Sequence, residues 1–371
     1  MMKVALIHYW LVGMRGGEKV LEALCELFPQ ADIYTHVYDP KKISATIKRH
    51  RVYTTAIQRL PRATSWYQRY LPLMPRALEA LDLSNYDLII SSESGPAKGI
   101  LAPSHIPHVC YCHTPMRYLW DYYHYYLKSS GKLTQLFFRH FAPALRTWDL
   151  LSAYRVDHFI TNSHNVARRI MRTYQRESTV IYPPVDLPDA EILSTQKGNF
   201  YLFLGQVTAY KRADLAIDAF RKSGLPLVIA GAGDAIKNLP ANIQALGFVS
   251  SQKRQELLAQ AKALLFPGEE DFGIVPLEAM AHGTPVIAYA KGGALETVIP
   301  EVSGILFQEQ TVDSLQGAIE QLEANPQRFN PKTLYAHAQK FSKERFKEQM
   351  HRYIEQRLSE HKAIVGTPMR D

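Results

Sequence analysis

The sequence predicts an α/β protein built from two doubly wound parallel sheets, and three observations predict it. Short apolar runs alternate with amphipathic helical patterns along the chain. Both halves open in the same way, with a strand, a glycine-bearing polar loop and a helix. Between them lies Tyr182-Pro-Pro-Val-Asp-Leu-Pro188, followed by the polar run 194–199, which reads as a linker. A chain of 371 residues is long for one core and suits two Rossmann-like domains, at 1–184 and 185–342. A last helix, at about 343–360, is expected to pack back on the first.

In the first half, Val4-Ala-Leu-Ile7 reads as a strand covered on both faces, since such strands are apolar throughout. A loop through Gly13, Gly16 and Gly17 follows. The pattern then predicts a helix over 18–28 with Val20, Leu21, Leu24, Leu27 and Phe28 on one face. Further strands are expected at 88–90, 108–112 and 158–161. The second half opens with a strand at 200–204, a polar loop over 205–212 and a helix over 213–220 that turns Leu215, Ala216, Ala219 and Phe220 inward. Runs at 227–230, 243–248, 263–266 and 285–289 read as its remaining strands. Ligands of open parallel sheets bind beyond the carboxyl ends of the strands, so two such domains facing each other would line a cleft with these loops.

A hydrophobic content of 46% with 21% charged residues is a globular composition, and no apolar run reaches the length of a bilayer span. The opening residues lack the features of a signal peptide, so residence in the cytosol is expected. Cys110 and Cys112, beside His113, suit a strand better than a zinc site, which needs four ligands and usually wider cysteine spacing. The net charge of +8 could serve nucleic acid, anionic lipid or an anionic small ligand. No RNA-binding signature or zinc-finger spacing occurs, and no nucleic-acid partner is expected. Basic and aromatic residues mix over 51–76 and 118–155. In the second stretch Tyr122, Tyr123, Tyr125, Tyr126, Phe137, Phe138, Phe141 and Trp148 accompany Lys128, Lys132, Arg139 and Arg146. This suits either a face for an anionic membrane surface or helices packing their aromatics inward.

The chemistry concentrates in Glu270-Asp-Phe-Gly-Ile-Val-Pro-Leu-Glu278. Pro276 fits the first turn of a helix and Gly283 its stop, which leaves 270–273 at the positive helix end, where free amides attract phosphate. Ionised carboxylates are acceptors only, so Glu270 and Glu278 can each take two hydroxyls at once. Lys211, on the loop after the second half's first strand, offers a cation for a leaving diphosphate. Two carboxylates are also what glycoside hydrolysis requires, and a hydrolase is the rival reading. The adjacent glycine and lysine loops favour phosphate.

The segment from Glu270 to Glu278, with its continuation Ala-Met-Ala-His-Gly-Thr-Pro-Val-Ile-Ala, resembles the signature of retaining glycosyltransferase family 4, whose fold is the two-domain GT-B type. Gly205 to Lys211 with Arg212-Ala-Asp-Leu, Gly231-Ala-Gly233-Asp234 and Gly292-Gly-Ala-Leu-Glu296 also match, as do Gly16-Gly17-Glu18, Cys112-His113-Thr114-Pro115 and Asn162-Ser163 in the first half. The likeness runs from about Met2 to about Phe307. Six ordered matches make it specific where one Glu-x7-Glu would not be.

This resemblance implies transfer of a sugar with retained configuration, in which the leaving phosphate helps deprotonate the acceptor hydroxyl. It gives His113 a contact to the donor hexose, beside catalytic Glu270 and Lys211. It implies donor contacts from Gly16, Gly17, Gly205, Gln206, Arg212, Gly231, Gly233, Phe248, Val249, Phe272, Gly273, Ile274, Val275 and Glu278. Gln206 stands where the family usually has arginine, so Arg212 either shares that work or points away. Glu18 reads equally as a helix cap and an acceptor ligand, and His164 is a weaker acceptor candidate. No obligatory cofactor or metal is expected. The segments 210–215 and 112–117 look like those of bacterial mannosyltransferases of surface polysaccharides, which points to GDP-mannose first and a UDP-sugar second. A lipid-linked saccharide is the expected acceptor, at the inner face of the cytoplasmic membrane. An epimerase or a sucrose-type synthase shares the architecture, and a basic non-enzymatic module for nucleic acid or lipid is the remote alternative.

Overall fold

The computed structural model describes residues 2–188, 197–233, 236 and 238–365, so Asp234 and the start of the polar run 194–199 lie outside the described residues. The chain divides into two compact units, one holding Met1–Pro184 with the segment from Phe346 onward, the other Val185–Arg345.

The first unit carries a seven-stranded sheet: β1 (Val4–His8), β2 (Asp32–Thr35), β3 (Val52–Thr54), β4 (Leu88–Glu93), β5 (His108–Cys112), β6 (His158–Thr161) and β7 (Ser178–Val180). The order is β3-β2-β1-β4-β5-β6-β7 and every pairing is parallel. Along β1, Val4 and Leu6 join one core cluster while Ala5 and Ile7 join another, which is why the strand is apolar at every position. The first cluster takes Val20, Leu21 and Leu24 from the helix Gly16–Leu27 and Phe346, Met350 and Ile354 from the helix Lys343–Val365.

The second unit carries six parallel strands: β8 (Tyr201–Leu204), β9 (Leu227–Ala230), β10 (Ile243–Gly247), β11 (Leu264–Phe266), β12 (Val286–Tyr289) and β13 (Gly304–Phe307). Their order is β10-β9-β8-β11-β12-β13, the same 3-2-1-4-5-6 arrangement as the first unit without its seventh strand. In each sheet the order reverses beside the first strand, at β1/β4 and at β8/β11. Crevices for ligands form at such switch points.

Part of the aromatic stretch packs inward and part is exposed. Tyr123, Phe138, Phe141 and Trp148 pack on a core cluster with Leu71, Met74, Ala142 and Leu145. On the other side of the helix Lys132–Ala153, Leu133 is 85% and Leu136 70% exposed, with Phe137 exposed beside them. Tyr125 and Tyr126 are exposed on the preceding helix, Tyr123–Ser129.

A buried charge network ties this region to the sheet. Lys98 Nζ donates to Glu93 Oε1 at 2.6 Å, to Asp149 Oδ1 and to the Tyr174 hydroxyl at 3.3 Å. Trp120 Nε1 donates to Asp149 Oδ2 at 2.7 Å. All three charged side chains are fully buried. Burial alone would drive Lys98 toward neutrality, but Asp149 and Glu93 outweigh it and raise the pKa of the ammonium, while burial raises that of Glu93.

His36 and His108 are buried in the first unit and held neutral, with pKa values lowered chiefly by burial to about 4 and about 3. His36 Nε2 faces the Pro96 carbonyl at 3.1 Å and must donate to it, which leaves Nδ1 to accept from Thr55 Oγ1 at 3.0 Å. The unfolded chain takes up these protons below about pH 6.5, whereas the folded state resists them, so stability is full above that pH and falls as pH drops. Each histidine costs about 1.4 kcal/mol per pH unit in that window. Between pH 7 and pH 5 these two histidines should together account for a loss of about 4 kcal/mol in denaturant unfolding, smaller when His36 is replaced by Gln.

Candidate functional site

In the second unit the switch-point loops bring the predicted residues together. The loop after β8 starts at Gly205, turns through a short 3-10 helix Ala209–Lys211 and passes Arg212 in the left-handed region before the helix Ala213–Ser223. Lys211 Nζ meets Glu270 Oε1 at 2.8 Å, and both side chains are largely buried. Burial lowers the ammonium's pKa, and the Glu270 charge more than reverses this, so the net shift is upward and Lys211 is a cation at neutral pH.

Glu270 lies on the loop after β11, which leads through Gly273, at φ 91°, into the helix Ile274–Ala281. Its N-cap is Gly273, which has no side chain to accept from the first amides of the helix, those of Ile274 and Val275 among them. Pro276 sits in its first turn and Glu278 in its second. Phe272 turns its ring into the unit, 5.8 Å from Phe341, so it anchors the loop and offers only backbone to a ligand.

The glycines have a packing reason as well as a phosphate one. A Cβ on Gly231 would lie 1.8 Å from the Gly205 carbonyl oxygen, and one on Gly233 would strike Val207. The loops after β8 and β9 thus lie backbone against backbone, joined by a bridge between Val207 and Gly233. Gly292 and Gly293 press in the same way on Glu270 and Phe272, with the Gly293 amide donating to the Glu270 carbonyl at 2.9 Å. Phe248, just beyond β10, is 83% exposed, and Val249 follows it. Gln206 is exposed, and Arg212 turns to Asp214, with Nε 3.0 Å from Oδ2.

Arg254 carried no sequence signal. It stands on the helix Ser251–Gln260 and forks onto Glu278, Nη1 donating to Oε1 at 2.7 Å and Nη2 to Oε2. Both candidate carboxylates therefore sit against a cation.

In the first unit, His113 follows β5 and is fixed on three sides. Its amide donates to the Glu93 carbonyl at 2.7 Å, its carbonyl accepts from Asn162 Nδ2 at 3.0 Å, and Nε2 meets Ser92 Oγ at 2.9 Å. Ser92 Oγ lies 3.1 Å from His8 Nδ1, and His8 Nε2 lies 3.9 Å from Glu18. Burial, then the neighbouring His8, lowers the His113 pKa to about 3, so its ring is neutral at physiological pH. Ser92 and His8 are contacts that sequence reading missed.

Glu18 is 2% exposed and accepts from the Arg15 amide at 3.0 Å, which makes it a helix cap. Gly16 and Gly17 are the first residues of that helix, not loop, and a Cβ on Gly17 would meet the Tyr9 hydroxyl at 2.2 Å. Ser163 Oγ caps the helix His164–Tyr174 by accepting from Val166, and His164 is exposed at its first position. Cys110 and Cys112 are buried free thiols on β5. Among the described residues, no group of three or more His, Cys, Asp or Glu side chains is placed to hold a metal ion.

Two parallel α/β units, one with carboxylates, a lysine and a helix start at its switch point, define the class of doubly wound proteins that bind ligands at that point. Residues 14–188 match Glycosyltransferase Family 4 and residues 188–348 match Glycosyl transferases group 1, and the chain belongs to this glycosyltransferase family. It is 26% identical to the alpha-1,3/1,6-mannosyltransferase ALG2 of Mus musculus, over 92% of this chain and 94% of that protein. It is 29% identical to the uncharacterized glycosyltransferase MJ1607 of Methanocaldococcus jannaschii, over 49% of this chain and 54% of that one. In several of these matches the chain spans about half the length of the relative. Among solved structures, Anabaena Alr3699/HepE in complex with UDP-glucose aligns with a TM-score of 0.67 and 17% identity, covering 96% of this chain and all of that one. Sucrose-phosphate synthase from Thermosynechococcus elongatus aligns with a TM-score of 0.69 and 19% identity, covering 97% of this chain and all of that one. These structural likenesses show the fold.

Proposed function

We propose that this protein is a retaining hexosyltransferase that moves mannose from GDP-mannose to a lipid-linked saccharide, in polysaccharide or glycolipid synthesis. The observation that carries the donor site is the convergence of Lys211, Glu270, Glu278 and a helix start at the β8/β11 switch point. A nucleotide sugar presents a diphosphate, a ribose diol and a hexose, and this set answers each. The amides of Ile274 and Val275 with Lys211 take the diphosphate, Glu278 the ribose and Glu270 the hexose. In the transfer, the bond from the anomeric carbon to phosphate breaks and the bond to the acceptor oxygen forms on the same face. The acceptor proton passes to the leaving phosphate, whose charge Lys211 stabilises. His113 is neutral, with Nε2 held 2.9 Å from Ser92 Oγ, and its role toward the hexose rests on the family resemblance.

Likeness to mannosyltransferases over most of the chain supports mannose, and a UDP-sugar is the alternative donor. Incubation with radiolabelled GDP-mannose, UDP-glucose and UDP-galactose and a lipid-linked acceptor tests this. Label should pass from GDP-mannose into an α-linked product. Release of free sugar from an unactivated glycoside, indifferent to nucleotide, would instead favour a hydrolase.

The acceptor's lipid suits the exposed stripe of Leu133, Leu136 and Phe137, flanked by Lys132 and Arg139, which fits an anionic membrane surface at the cytoplasmic face. No described helix is long and apolar enough to cross a membrane. The protein should float with phosphatidylglycerol vesicles, and Leu136→Ser with Phe137→Ser should cut that partitioning about ten-fold or more without changing nucleotide affinity.

A further inference from the structure

Resting on the donor site just described, we propose that Arg254 is its second cation, filling at the diphosphate the place that Gln206 and Arg212 leave empty. A diphosphate that departs with an extra negative charge needs more than one lysine. Gln206 is neutral and its exposed side chain makes no hydrogen bond among the described residues. Arg212, the obvious substitute, is turned to Asp214 at 3.0 Å and approaches Gln310 at 3.4 Å. Neither supplies a charge to the site. Arg254 does, because its guanidinium sits on Glu278, and its charge is felt at Lys211, whose pKa it lowers beneath the larger effects of burial and Glu270.

In this structure Lys211 pairs with Glu270 and Arg254 with Glu278, so two cations neutralise two carboxylates. A nucleotide sugar can exchange both pairs at once. Its hydroxyls replace the cations on the carboxylates, and its phosphates take the cations. The exchange suits arginine, because one planar fork of N–H donors fits carboxylate and phosphate alike. Arg254 is also placed for it. Its side chain is about one-third exposed at 36%, and its helix begins directly after Phe248 and Val249, with Ser250 as cap.

The test compares GDP, UDP and their nucleosides by competition binding to the wild type, Arg254→Leu, Arg254→Lys and Arg254→Leu with Gln206→Arg, each checked for an unchanged melting profile of the second unit. Wild type should bind a nucleoside diphosphate far more tightly than its nucleoside. Arg254→Leu should weaken the diphosphate about ten-fold or more and the nucleoside less than about two-fold. Arg254→Lys should fall between, and Gln206→Arg should restore most of the loss. Equal loss for diphosphate and nucleoside would mean that Arg254 only orients Glu278 on the ribose, and tighter binding would make it an obstacle; either overturns the proposal. Wild type that binds neither diphosphate overturns the donor-site reading itself, which separates the two failures.

Discussion

Lys211→Ala should slow sugar transfer by about 100- to 1000-fold, the usual range for removing one preorganised group that stabilises developing charge. The lysine is held 2.8 Å from Glu270 and is a cation before any ligand arrives, so no reorganisation is needed to charge it. Its amine adjoins Gly205, where an added Cβ would come within 3.4 Å of Nζ, so the loop leaves room for the ammonium and little more. Removing it also leaves Glu270 without its cation. The companion substitutions should separate binding from chemistry. Glu278→Ala should weaken nucleotide binding, while Glu270→Ala should mainly lower kcat. Equal loss of both properties in both variants would contradict the division between ribose and hexose.

Lys98→Met should destabilise the first unit by about 3–5 kcal/mol, because it strands Glu93 and Asp149 without a cation in a site closed to water. The hydrogen bonds of Tyr174 and Trp120 to Asp149 do not compensate a charge. The network also adjoins His113, whose amide donates to the Glu93 carbonyl at 2.7 Å. Combining Lys98→Met with Glu93→Gln and Asp149→Asn should recover part of the loss, as the triple variant buries no charge. Urea unfolding reads both, and a loss below about 1 kcal/mol for the single variant would mean that water reaches the triad.

Strands in the middle of each sheet were legible because they are buried on both faces: β5 and β6 fall at the predicted 108–112 and 158–161. The strands β2, β3, β7 and β13 were not foreseen. Asp32–Thr35, Val52–Thr54 and Ser178–Val180 are three or four residues long with half-exposed positions, too short for a period to emerge. Gly304–Phe307 is apolar but opens on a glycine that a strand tolerates only because Val286 crowds it. At the site, the same limit applies to distance along the chain. Lys211 and Glu270 stand in recognisable segments, whereas Arg254 reaches Glu278 across 24 residues, and Ser92 reaches His8 across 84. Lone polar residues without a motif carry no sign of such partners until the sheet brings them together. Gly231 shows a further limit, because its proximity to Gly205 is a backbone contact that no side-chain pattern encodes.

Thermal unfolding with GDP, UDP, dTDP and ADP at equal concentration tests the donor site most directly, since a ligand bound only by the folded state raises the transition. At one hundred times its dissociation constant a nucleotide adds about 2.7 kcal/mol. GDP should raise the melting temperature most, and the shift should vanish in Glu278→Ala. If none of the four nucleotides moves the transition of the wild-type protein, the second unit is not a nucleotide-sugar site.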